Sequence, residues 1–120
     1  MTIAIPAQEV DLSSPVDDRF GRAVWFHVID TETGERHVHE NTKNLHAVQG
    51  AGVQAAQAVI DLGVEAVVTG HCGPKAFAVL KAADVDVYVG ARGTVEDAIE
   101  AFAAGTLEEA KEANREGHWV

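Results

Sequence analysis

After Asn41 the chain alternates between two apolar periods, and that alternation restricts its fold more than any other feature. Gly52 to Leu62 sets Val53, Ala56 and Ile60 at helical spacing, and Gly63 ends the run as a C-cap. Val64 to Thr69 is then a continuous apolar run of strand length. Pro74 to Ala83 reads as a second helix, with Pro74 suited to its first turn. Val85 to Val89 is another strand. Thr94 can cap a third helix, with Asp97 three residues on to close a capping box, and that helix ends near Gly105. Helices alternating with buried strands predict β-α-β crossovers and a sheet covered by helices.

Three strands precede that pattern. Thr2 to Ala7 is a short apolar run. Gln8 to Arg22 is polar and reads as a loop. Ala23 to Asp30 is a second strand, Thr31-Glu32-Thr33-Gly34 a turn, and Arg36 to Glu40 a hairpin partner with one wet face. The predicted order is β-β-β-α-β-α-β-α, an α/β fold with a mixed five-stranded sheet. Leu107 to Arg115 can extend the third helix or form another, and Gly117 to Val120 frays. No linker divides two cores, so residues 1–120 are expected to form one domain with a helical or frayed tail over 106–120.

At 120 residues, 47% hydrophobic and 23% charged, the chain can bury one aliphatic core without staples. Nineteen acids against nine bases leave a net charge of −10, which argues against nucleic acid and anionic membranes as partners. Cys72 is the one cysteine, so no internal disulfide can form. Met1 to Pro6 is too short for a signal peptide, and no apolar run approaches a membrane span. The expected compartment is the cytoplasm.

In an open α/β sheet, ligands gather beyond the carboxyl ends of the strands, and four glycine-rich segments are placed to meet there. Asp18-Arg19-Phe20-Gly21-Arg22 flanks an aromatic ring with two guanidiniums. Arginine donors suit an anion with many acceptors, and Phe20 can cover its apolar face. The plainer account is a surface loop whose arginines pair with Asp17 and Asp18. Asn44-Leu45-His46 leads to Gly50-Ala51-Gly52 at a helix start, where small residues and N–H groups admit an anion. Thr69-Gly70-His71-Cys72-Gly73-Pro74 sets Cys72 at a helix N-terminus, which favours a thiolate able to ligate a soft metal, with His71 as a hydrogen-bond donor or weaker ligand. A buried, inert cysteine is the alternative. Val89-Gly90-Ala91-Arg92-Gly93 adds a cation beside a further helix start. Together they describe a basic, concave site in an acidic chain, fitted to an anion larger than phosphate. His37 and His39 share a strand face at period two. That spacing can hold a metal, though an exposed polar face is the ordinary account.

At these segments the sequence resembles a known family. "IAIP", "SPVDDRFGRA", "FHVIDTETGE", "GAGVQAAQAVIDLGVEAVVTGHCGPKAF" and "VDVYVGARGTVEDAIEAF" look like the dinitrogenase iron–molybdenum cofactor biosynthesis family, which includes NifX, the carboxyl-terminal part of NifB, NafY and small stand-alone proteins. The match runs over about residues 2 to 105. It implies a ribonuclease H-like fold and non-enzymatic binding or carrying of an anionic metal–sulfur cluster. Among the stand-alone members, the orange proteins are similar in size and hold a molybdenum–copper sulfide cluster non-covalently. The resemblance places that cluster, or an iron-containing one, against Arg19, Phe20, Arg22, the Gly50 to Gly52 turn, His71 and Cys72. A protein donor or acceptor of the cluster is a further implied partner, and the chain is expected as a monomer or weak dimer.

Three other functions fit parts of the sequence. One is a metal-free module that regulates an assembly by protein contacts. Another is a thiol-redox protein using Cys72, which would need an outside resolving thiol. The third is a phosphoryl-transfer enzyme of the same fold. That chemistry needs carboxylates to hold two metal ions, and the strand Thr2 to Ala7 has none.

Overall fold

The computed structural model describes residues 1–41 and 50–111. Its strands are β1 (Thr2–Ala7), β2 (Trp25–Asp30), β3 (Arg36–Glu40), β4 (Ala66–Val68), β5 (Asp86–Val89) and β6 (Glu108–Glu109). Its helices are α1 (Ala51–Asp61), α2 (Pro74–Ala82) and α3 (Val95–Ala104), with a 3-10 turn at Phe20–Arg22. One sheet runs in the order β3-β2-β1-β4-β5-β6. β1, β2 and β3 pair antiparallel, β4 lies parallel to both β1 and β5, and β6 returns antiparallel.

Two differences from the sequence reading stand out. The sheet has six strands, not five, and residues 108–109 are neither helical nor frayed. Glu108 and Glu109 have little strand preference. They pair because the outer edge of β5 is open to them, opposite Val89 and Tyr88, and the Ala110 N–H donates to the Val87 carbonyl. The loop expected over Gln8 to Arg22 also closes into a 3-10 turn at its end.

Strand periodicity divides the core. In β1, Ile3, Ile5 and Ala7 face one way and Ala4 the other. One face of the sheet carries Phe26, Val28, Val67 and Val87 against Ala55, Ala56 and Val59 of α1 and Ala76, Phe77 and Leu80 of α2. The other carries Ile3, Ile5, Ala66 and Val68 against Val95 and Ala98 of α3. The predicted capping box is present: Thr94 Oγ1 accepts from the Asp97 N–H, and Asp97 Oδ2 accepts from the Thr94 N–H. Among the described residues no helix is long and apolar enough to cross a membrane.

This topology fixes where a ligand can enter. β1 and β4 are parallel neighbours, yet the chain leaves β1 toward β2 and leaves β4 toward α2. Their carboxyl ends open a crevice between two diverging connections, the usual ligand position in such sheets.

Candidate functional site

A cavity of about 470 Å³ opens at that crevice. Arg19, Phe20, Gly21 and Arg22 line it from the β1 connection, Ala51 and Gly52 from the start of α1, and His71, Gly73, Pro74, Lys75 and Ala76 from the β4 connection and the start of α2. At a water's share of about 30 Å³, the space equals roughly fifteen waters, far more than a phosphate needs.

Local structure holds the wall together. Asp17 is 5% exposed and accepts the Arg19 N–H at 2.9 Å, with Arg19 Nε 3.8 Å from the same oxygen. Arg19 also forms an isolated parallel bridge with His71, which ties the two loops. Phe20, 3% exposed, packs on Phe26 with ring centroids 5.3 Å apart and forms an apolar floor. The 3-10 turn reaches α1 because residue 21 is glycine: a Cβ on Gly21 would lie 2.8 Å from the backbone Cα of residue 52.

The charges are one-sided. Arg19, Arg22 and Lys75 line the cavity, and no Asp or Glu does among the described residues. Both helices that meet it begin without a capping side chain at the N-cap itself. Gly50 and Gly73, at the N-caps of α1 and α2, supply no side-chain hydrogen bond, and neither first turn contains an acid. α3, across the sheet, has Glu96 and Asp97 in its first turn and a complete capping box. Helix N-termini present N–H groups and a partial positive charge to an anion.

Cys72 turns inward from the start of α2. Its side chain is 1% exposed and belongs to the apolar cluster of Phe20, Ala76 and Phe77. Burial pushes the thiol up to about 12, so Cys72 is a neutral core side chain at neutral pH. The residue before an N-cap can point either way, and here the core takes it.

Other candidates are spread out. Arg19, Phe20, Arg22, Gly52 and His71 come together in the lining. Gly50 is exposed at the α1 N-cap with φ 78° and lies beside the lining. Arg92 is exposed and is not among the lining residues, while Ala91 before it packs into the cluster under α3. His46, with Asn44 and Leu45, lies outside the described residues. Sequence reasoning missed Lys75. Its signal was there, one residue after the Pro74 that marks the first turn of a helix aimed at the crevice. Among the described residues of the chain, no three His, Cys, Asp or Glu side chains gather to hold a metal ion.

Comparison with known proteins agrees along the chain. The orange protein from Desulfovibrio gigas, solved in its apo form, is 36% identical and superposes with a TM-score of 0.91, covering 95% of this chain and 96% of its own. A NifB-like protein of the DUF35 family from Thermotoga is 45% identical with a TM-score of 0.83, over 97% and 98%. An uncharacterised protein of Methanocaldococcus jannaschii is 29% identical over 116 residues, 90% of this chain and 98% of that one. The family model described as dinitrogenase iron–molybdenum cofactor matches residues 1–105, so the chain belongs to that family.

Proposed function

We propose that the chain binds and carries an anionic metal–sulfur cluster as cargo, without chemical turnover and as one domain. A molybdenum–copper sulfide is the leading candidate and an iron-containing cluster the alternative. The observation that supports this reading is the cavity's charge. In a chain of net charge −10, three cationic side chains and two helix starts with no acid in their first turns surround a space with no acid in its described lining. Family membership and likeness to the orange protein support the cargo class. The β3-β2-β1-β4-β5 order, antiparallel then parallel, supports a ribonuclease H-like reading of the fold.

The residues fit a sulfide-rich anion. Guanidinium is weakly hydrated and loses less than ammonium on meeting a diffuse, soft acceptor. Phe20 supplies apolar contact to the same body. Arg19, Arg22 and Lys75 provide attraction, and the first-turn N–H groups of α1 and α2 provide direction. His71 adds an imidazole to the wall. With Cys72 buried and neutral, binding rests on charge and hydrogen bonds, which leaves release open to a receiving protein.

Anaerobic reconstitution tests this. The protein is mixed with tetrathiomolybdate and copper(I), or with ferrous iron and sulfide, then desalted. Metal and sulfide per chain are measured beside the absorption spectrum. A fixed, saturable metal ratio with new charge-transfer bands is expected in one mixture. Metal retained in neither would overturn the reading.

A further inference from the structure

β3 is a sheet edge, and its hydrogen bonds show which of its groups face outward. The Asp30 N–H donates to Glu35 O, and the Asn41 N–H donates to Val24 O. Between these, Val28 lies opposite His37 and Phe26 opposite His39. Bonded and non-bonded pairs alternate in an antiparallel ladder. Residues 35, 37, 39 and 41 therefore turn their N–H and C=O groups to β2, while Arg36, Val38 and Glu40 turn theirs away from the sheet. Among the described residues no strand pairs with that side.

The outward row is self-complementary. Read antiparallel against itself, Arg-His-Val-His-Glu sets Arg36 opposite the partner's Glu40 and Val38 opposite the partner's Val38. These are the outward-facing residues, so each forms a bonded pair. Any two-residue slip keeps the hydrogen-bond parity but shortens the ladder to three pairs and removes every Arg–Glu match. Opposite charges directly across a ladder favour one register over its neighbours.

In this register His37 faces the partner's His39 as a non-bonded pair, the closer kind, with Cα atoms about 4.5 Å apart. Opposite residues share a face, so both histidines lie on the side of Phe26 and Val28. The two-fold axis then brings four imidazoles onto one surface. His37 is exposed, His39 half-buried, and Glu35 Oε2 lies 3.6 Å from His37 Nε2. Imidazole suits zinc, copper and nickel, and four such nitrogens can complete a tetrahedral site. Two histidines from one chain cannot.

We propose that two copies of the chain pair through their β3 edges in the Arg36-to-Glu40 register, and that the four histidines this joins form a site for a divalent cation such as zinc. Two five-residue strands alone make a short interface between molecules that both carry net negative charge. The cation supplies the missing affinity, so the dimer depends on it. The site is separate from the cavity at the ends of β1 and β4.

Sedimentation velocity of the full chain at tens of micromolar tests this, in EDTA and with one zinc ion per two chains. Monomer is expected in EDTA and dimer with zinc. The His37→Ala/His39→Ala double variant stays monomeric with zinc, as does Val38→Pro, whose lost N–H faces outward and spares the pairing with β2. Glu40→Lys, exposed and so benign to folding, weakens the zinc dimer at least fivefold by facing the partner's Arg36 with a like charge. His71→Ala leaves it unchanged. A chain that remains monomeric with zinc overturns the proposal. So does a dimer that forms equally in EDTA, or one that survives loss of both histidines.

Discussion

Gly21 and Gly52 meet backbone to backbone: a Cβ on Gly21 would stand 2.8 Å from both the Cα and the amide nitrogen of Gly52. The contact sets the 3-10 turn on the first turn of α1, and the wall bearing Arg19, Phe20 and Arg22 depends on it. Gly21→Ala forces the two segments apart. Overpacking of this kind costs about 1–3 kcal/mol, seen by calorimetry as a melting temperature lower by several degrees. Cluster retention should fall with it. Gly73→Ala adds the same methyl group to the same cavity, where nothing lies within 4 Å and φ is −68°. Its stability should stay within about 0.5 kcal/mol of the parent.

Anion capture by three cations predicts a graded, salt-sensitive loss. Arg19→Ala, Arg22→Ala and Lys75→Ala should each weaken cluster binding about fivefold to tenfold, the range for partly screened charge-assisted contacts. The double Arg19/Arg22 variant should lose more than either single one, and its affinity should depend less on ionic strength. Arg92→Ala keeps the chain's net charge equal to that of the single variants, but Arg92 is not among the residues that line the cavity. It should bind as the parent does. Equal losses at Arg92 and Arg19 would mean that overall charge, not the cavity, governs binding.

Cys72 behaves as a core side chain. With its thiol pushed up to about 12 by burial, roughly one chain in ten thousand is thiolate at pH 8. Iodoacetamide should therefore label the native protein far more slowly than the urea-unfolded protein, at a rate set by opening of the fold. Cys72→Ala should lower stability by about 1–2 kcal/mol through the lost buried volume. It should nevertheless retain the cluster. Loss of the cluster in a folded Cys72→Ala protein would restore the thiol as a ligand.

The parts of this fold that were legible follow local rules. β1 and β3 occupy the residues their apolar patterns indicate, and Thr94 with Asp97 caps α3 as the spacing requires. The cavity was legible because glycine-rich strand-to-helix turns collect at one end of a parallel pair. What escaped depends on choices between faces. Cys72 turns into the core, Arg92 stays out of the cavity lining, and Lys75 joins it from a helix start. Each is one residue in a turn, where no period tells inside from outside. Glu108 and Glu109 become a strand through the edge they meet rather than their own preference.

His27 predicts how the fold answers to acid. Its ring is 0% exposed, between the Glu9 carbonyl 2.8 Å from Nε2 and Arg36 Nη1 3.2 Å from Nδ1. Arginine only donates, so Nδ1 accepts and Nε2 bears the proton given to Glu9. Arg36 Nη1 also donates to the Val10 carbonyl, and together they pin the Gln8 to Leu12 segment to the sheet. Burial lowers the pKa of His27 most. The hydrogen bond to Glu9 opposes it, the Arg36 charge lowers it further, and Asp11 partly offsets that. The unfolded chain therefore takes up a proton near the ordinary value of about 6.5 while the native chain resists it. Unfolding binds protons in that window, so stability is full above about pH 6.5 and is lost as pH falls below it. His27→Gln keeps a donor and an acceptor but does not titrate. In urea melts at pH 7.5 and 5.5, the parent midpoint should fall more than that of His27→Gln, and the difference between their two drops isolates the imidazole. Equal drops would place the acid sensitivity in the carboxylates instead.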